Sequence, residues 1–233
     1  MNLAILFEDN SIIIVNKPNN ILIHNSYYAR NIKEPTLLEL LKIQFGTEFF
    51  PVHRLDRKTS GVIVLAKKKE AVALFQELFN SNTIKKIYVS IVRGFVNEPI
   101  LINSPVKNAD TNIYKDAITY CEPLTNTTLD IAVHPYTNSR YSLVKLTPST
   151  GRMHQLRIHM NKISHPIVGD YKYGDRFHNR MFETEFSTPN LFLHAYSLYF
   201  MHPITLKKIE IIAEIPNDWK SIFEKFNWNL EMI

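Results

Sequence analysis

A chain of 233 residues with 45% hydrophobic and 21% charged side chains can bury a sizeable core, which excludes a disordered or fibrous polypeptide. The formal net charge of +5 suits an anionic partner such as nucleic acid without requiring one. The single cysteine, Cys121, excludes an intrachain disulfide and a cysteine-rich zinc framework. The opening MNLAILFEDN lacks a basic leader, and no run approaches the roughly 20 apolar residues of a bilayer helix, so the expected location is the cytoplasm.

In chain order, β-branched and aromatic runs predict strands at Leu3–Phe7 and Ser11–Val15. Thr36 and Glu39 have the spacing of a capping box ahead of LLELLKIQF, and Gly46 is placed to end that helix. A strand over Gly61–Ala66 follows. Ala71, Leu74, Phe75, Leu78 and Phe79 then mark the apolar face of a second helix. Strands are expected at Lys86–Val92, Ala117–Tyr120 and Ser142–Leu146, with a third helix over Gly151–Asn161. Further strands are expected at Leu191–Leu198 and Lys208–Ile215. Asn217 is the expected cap of a last helix bearing Trp219, Ile222 and Phe223. The polar stretches 100–140 and 175–190 read as loops over the sheet. Strands outnumber helices and do not alternate with them, which predicts an α+β fold with a largely antiparallel mixed sheet. Residues 1–233 are taken as one domain.

Three stretches could carry chemistry. In HRLDRKTSG, Asp56 stands among Arg54, Arg57 and Lys58. It reads either as a surface acid paired with its neighbours, or as a carboxylate that nearby cations keep ionised while it is partly buried. An acid of the second kind can act as a nucleophile, or stabilise the oxocarbenium-like sugar of a breaking glycosidic bond. In KKIYVSIVRG, Tyr88 lies on the strand face opposite Ile87, Val89 and Ile91, either as an amphipathic core residue or as a ring for stacking on a nucleobase. In STGRMHQLRIHM, a helix would put His154 and Arg157 on one face. Arg152 and Arg157 there suit a phosphate backbone or a buried carboxylate. The spacing of His154 and His159 is wrong for a helical metal pair. With six glycines, no GxGxxG, no GxxxxGK[ST] and no GxSxG, a nucleotide cofactor or serine-hydrolase elbow is not expected.

Taken in order, these stretches resemble the RluA-type pseudouridine synthases. LFEDNSIIIVNKPNNILIH is similar to the family's opening strand pair and Asn-Lys-Pro segment. HRLDRKTSGVIVLAK is similar to its catalytic loop, and KKIYVSIVRG to its tyrosine strand. LTPSTGRMHQLRIHM with HPIVGDYKYG, and LFLHAYSLYFMHP, are similar to its third motif and closing strand.

The resemblance implies the pseudouridine synthase fold and an isomerase that detaches uracil at N1, turns it, and rejoins it to the ribose through C5. By the same motifs Asp56 would be the catalytic aspartate and Tyr88 the residue that packs on the base. Arg157 would pair with Asp56, and Arg54 would hold the nucleotide flipped out of its stack, at a cost of a few kcal/mol. Lys17, Arg57, Lys58 and Arg152 would join Arg54 on an RNA-facing surface. Where members commonly carry glycine two positions after Lys17-Pro18, this chain has Asn20, the best substitute in a left-handed turn.

No S4-like RNA-binding domain is expected beside the catalytic one, and no metal or other cofactor is implied. YTNSRYSLVKLTPSTGRMHQLRIH, GDYKYGDRFHNR and NDWKSIFEKFNW resemble the tRNA-modifying branch, which implies uridine 65 of the tRNA T-stem as target. The expected partner is tRNA, met by a monomer away from any membrane. Alternatives are a ribosomal RNA synthase of the same family, or a non-catalytic RNA-binding protein on this fold.

Overall fold

The side chain of Thr36 accepts from the Glu39 backbone N–H while the Glu39 carboxylate accepts from the Thr36 N–H, so the first helix starts where its capping box places it. It ends at Gly46, whose φ of 69° is the left-handed cap that glycine adopts without strain. The computed structural model describes residues 2–25, 33–81, 83–108, 111–229, 231 and 233.

The first elements are β1 (Ala4–Glu8), β2 (Ile12–Lys17), α1 (Leu37–Phe45), β3 (Phe50–Pro51), β4 (Ser60–Ala66) and α2 (Lys69–Asn80). Next come β5 (Lys85–Arg93), β6 (Ile100–Asn103), β7 (Val106–Lys107), β8 (Tyr114–Lys115), β9 (Ile118–Leu129) and β10 (Ser139–Pro148). The chain finishes with α3 (Gln155–Lys162), α4 (Arg176–Phe186), β11 (Leu193–Met201), β12 (Lys208–Ile212) and α5 (Asn217–Phe226). This is the expected α+β class. The chain divides into two compact units, Met1–Lys86 with Ala195–Glu214, and Ile87–His194 with Ile215–Ile233.

In the first unit the strand order is β1-β2-β4-β11, with β3 beside β4 and β12 beside β11. Every residue of β4 is buried, as its unbroken SGVIVLA run requires of a strand covered on both faces. Ala71 and Phe75 of α2 pack onto Ile12, Ile14, Val62 and Val64. Burying a ring such as Phe75 contributes about 1.5–3 kcal/mol. Leu78 and Phe79 pack partly buried against the same core, while Leu74, expected on that face, is instead 46% exposed. Gly61, with φ of +110°, lets β4 pass so close to β11 that a Cβ would run into the Ala195 backbone.

In the second unit the order is β5-β10-β9-β6. The 100–140 stretch is not a loop. It holds the twelve-residue β9, bonded antiparallel to both β10 and β6, whose Pro, Asn and Thr residues hide the strand signal. The 175–190 stretch contains α4, capped by the Asp175 carboxylate accepting from the N–H groups of Phe177 and His178. Its buried face mixes His178 and Asn179 with Met181 and Phe182, which blurs the apolar period. Trp219, Ile222 and Phe223 of α5 are buried as expected, but Pro216 rather than Asn217 occupies the cap position. No helix among the described residues is long and apolar enough to cross a membrane.

Candidate active site

The HRLDRKTSG loop is tied down at nearly every residue. His53 Nε2 accepts the Val64 N–H at 2.9 Å, and its ring stacks on Phe79 at 4.0 Å. Burial, helped by the charge of Lys86, pushes the imidazole down to about 3, so His53 is neutral and structural at pH 7. The unfolded chain therefore binds an extra proton between about pH 3 and pH 6.5. The stability this site contributes is complete above pH 6.5 and falls by up to about 1.4 kcal/mol per unit as pH drops through that window. Denaturant titrations at stepped pH should show that slope in the wild type and lose much of it in His53→Gln.

Leu55 is buried, and the Asp56 carbonyl accepts the Thr59 N–H at 3.1 Å, closing a turn before the buried Thr59 and Ser60. Asp56 itself is half-buried, Arg54 is exposed, and Arg57 and Lys58 are intermediate. Arg57 Nε donates to the Asn20 carbonyl at 3.0 Å, which joins this loop to the segment after β2. Asn20 adopts φ of 63°, the left-handed turn its place after Lys17-Pro18 demands.

Lys17 requires a correction. Rather than joining an RNA-facing surface, it is 0% exposed, and its ammonium donates to the carbonyls of Pro18 and Ile21 at 2.9 Å and of Arg57 at 3.0 Å. Three acceptors for three N–H groups make it a clamp between the 18–21 turn and the Asp56 loop. Burial pulls its pKa down to about 7, opposed by the Asp56 carboxylate and assisted by the Arg57 charge. Lys17→Met should strand three carbonyls and lower the unfolding free energy by about 3 kcal/mol or more. A midpoint shift in urea would measure it.

The second unit contributes the other candidates. Tyr88 in β5 pairs with Leu146 of β10 and packs beside Val92, Leu156 and Met160, so its half-buried ring lies on the sheet face that α3 covers. The α3 helix begins four residues later than expected. Gln155 Oε1 accepts from the Arg152 N–H and the Thr150 hydroxyl, which folds 151–154 into a turn. His154 there has φ of 56° and shares no helical face with Arg157. His154 meets the Tyr173 hydroxyl at 3.0 Å. His159 bridges Thr119 and the Ser104 carbonyl. Among the described residues no group of three or more His, Cys, Asp or Glu is placed to hold a metal ion.

Arg157 is buried and held bidentately by Asp170, Nε to Oδ2 at 2.7 Å and an amino group to Oδ1 at 2.8 Å, with the Tyr173 ring 5.1 Å from the guanidinium. Burial alone would raise the Asp170 carboxyl. The bonds and charge of Arg157, with the N–H groups of Tyr173 and Lys172, outweigh it and hold Asp170 below the ordinary carboxylate range. Sequence reading missed this partner. Arg152 is exposed, its Nε on the Asp116 carbonyl at 3.0 Å. Thus Lys17, Arg54, Asp56, Arg57 and Lys58 belong to the first unit, and Tyr88, Arg152 and Arg157 to the second.

The pattern of the RNA pseudouridylate synthases matches residues 11–162, a span that contains Asp56, Tyr88 and Arg157. The chain is 37% identical over 236 residues to a tRNA pseudouridine synthase C of Vibrio vulnificus, covering 97% of this chain and 96% of that one. It is 38% identical over 240 residues to the tRNA pseudouridine synthase C of Haemophilus ducreyi, covering 98% of each. The solved structure of human RNA pseudouridylate synthase domain containing 1 superposes with a TM-score of 0.73 at 26% identity, over 92% of this chain and 84% of that one.

Proposed function

The chain belongs to the RNA pseudouridylate synthase family, and on that premise we propose that it isomerises uridine to pseudouridine in tRNA, with Asp56 as the acid that acts on the nucleotide. The observation that supports this most is a half-buried carboxylate in a loop fastened by His53, Lys17 and Arg57, inside the matched span. A group so restrained can meet a reacting sugar or base without first paying to order itself.

In the reaction the C1′–N1 bond breaks, a C1′–C5 bond forms, C5 loses its proton and N1 gains one. Every atom of uridine is kept, and no oxidant or second substrate is consumed. Asp56 acts on the base or on the oxocarbenium-like ribose as N1 departs. Tyr88 packs on the uracil and assists proton loss at C5. Arg157, gripped by Asp170, contributes a fixed positive charge to the reaction. Arg54, Arg57, Lys58 and Arg152 contact the RNA backbone. Uridine 65 in the T-stem is the proposed target, and residues 1–233 act as a single catalytic domain, as a monomer in the cytoplasm.

An unmodified tRNA transcript incubated with the protein should yield pseudouridine at that one position. Product on ribosomal RNA alone would move the substrate to the ribosome. RNA binding with no product on either would leave a binding protein on this fold.

A further inference from the structure

Between the β7–β8 hairpin and the turn before α3 lies a cleft of about 180 Å³, room for roughly six waters. Three cations line it, Lys107, Lys115 and Arg152, together with Asn108, Val106 and Met153. Among the described residues no carboxylate lines it. Asp116, beside Lys115 in the chain, contributes its carbonyl to Arg152 Nε and so fixes the arginine stem. The hairpin register sets Lys107 opposite Tyr114 and Lys115 opposite the buried Val106. Val106 anchors the hairpin while Tyr114 and Ile113 stay 64% and 61% exposed.

Resting on the tRNA reading above, we propose that this cleft seats a backbone phosphate of the tRNA, with Lys107 and Lys115 joining Arg152 as its ligands and Tyr114 stacking on the adjoining nucleotide. Charge complementarity selects an anion, since three cations and, among the described residues, no acid line the cleft. The open position and long flexible lysine stems suit a phosphate delivered on a polymer rather than a free ion, which would have to order those stems alone. An exposed aromatic beside lysines is the arrangement that holds a base next to its phosphate.

The double variant K107Q/K115Q tests this with tRNA binding measured over a salt series. About 5- to 20-fold weaker binding at low salt is expected, with the log Kd against log salt slope shallower by about 1–2, whereas K107R/K115R keeps the slope. In a second measurement, bound tRNA should shield Lys107 and Lys115 of the wild type from amine acylation, read by mass spectrometry. An unchanged slope in a normally folded double variant overturns the site. So does equal acylation with and without tRNA. Shielding by inorganic phosphate alone, with tRNA affinity unaltered, overturns the RNA assignment in favour of a small free anion. Because these readouts are of binding, they stand apart from pseudouridine formation by the wild type, whose absence would instead overturn the reading this site rests on.

Discussion

Asp56→Asn should cut pseudouridine formation on unmodified tRNA by at least about 10³-fold, about 4 kcal/mol in the barrier, while tRNA binding stays within a few-fold. The amide nearly matches the carboxylate in size, so the fastened loop has no steric reason to rearrange. The Thr59 N–H bonds to the backbone carbonyl of residue 56, not to its side chain. What disappears is the negative charge and the nucleophilic oxygen. Single-turnover assays separate chemistry from release, and a filter-binding titration reports affinity. A variant that isomerises at the wild-type rate would remove Asp56 from its role, whereas one that neither binds nor melts normally would show that the loop had collapsed.

The second large effect is expected at Asp170. Changing it to Asn removes the carboxylate that grips the buried Arg157 guanidinium through two bonds, a loss of about 3–5 kcal/mol in stability. For a chain of this size that lowers Tm by roughly 2–4 °C per kcal/mol. With the bidentate grip gone, Arg157 loses its fixed orientation, and kcat should fall by about 10²-fold, the scale set by an ångström of misplacement. The two consequences are separable: kcat measured well below the melting transition reports orientation, and calorimetry reports stability. Wild-type kcat in a destabilised Asp170→Asn would make the pair purely structural.

How much of this was legible in the sequence depends on how local each signal is. The capping box of Thr36 and Glu39, the stop at Gly46 and the left-handed Asn20 involve residues a few positions apart, and all three are found where expected. Only the start of β9 was expected, at Ala117–Tyr120, because the rest is set by β10 and β6 on either side, while its own CEPLTNTTL reads as turn-rich. Similarly, α4 is specified by what Phe182 and His178 pack against rather than by a clean apolar stripe. At the candidate site, Asp56, Tyr88 and Arg157 stand out through motif resemblance, which says nothing of their supports. Lys17 looked like a surface cation because no spacing rule reveals that the Pro18, Ile21 and Arg57 carbonyls close around it. Asp170 went unread because it reaches Arg157 across the end of α3, thirteen residues on.

Single-nucleotide maps of pseudouridine in total RNA, from cells with the protein and from cells lacking it, test the central claim most directly. Loss of the modification at one T-stem uridine of tRNA, restored by the wild-type chain and not by Asp56→Asn, is the predicted result. Identical tRNA maps in the two cell populations would contradict it.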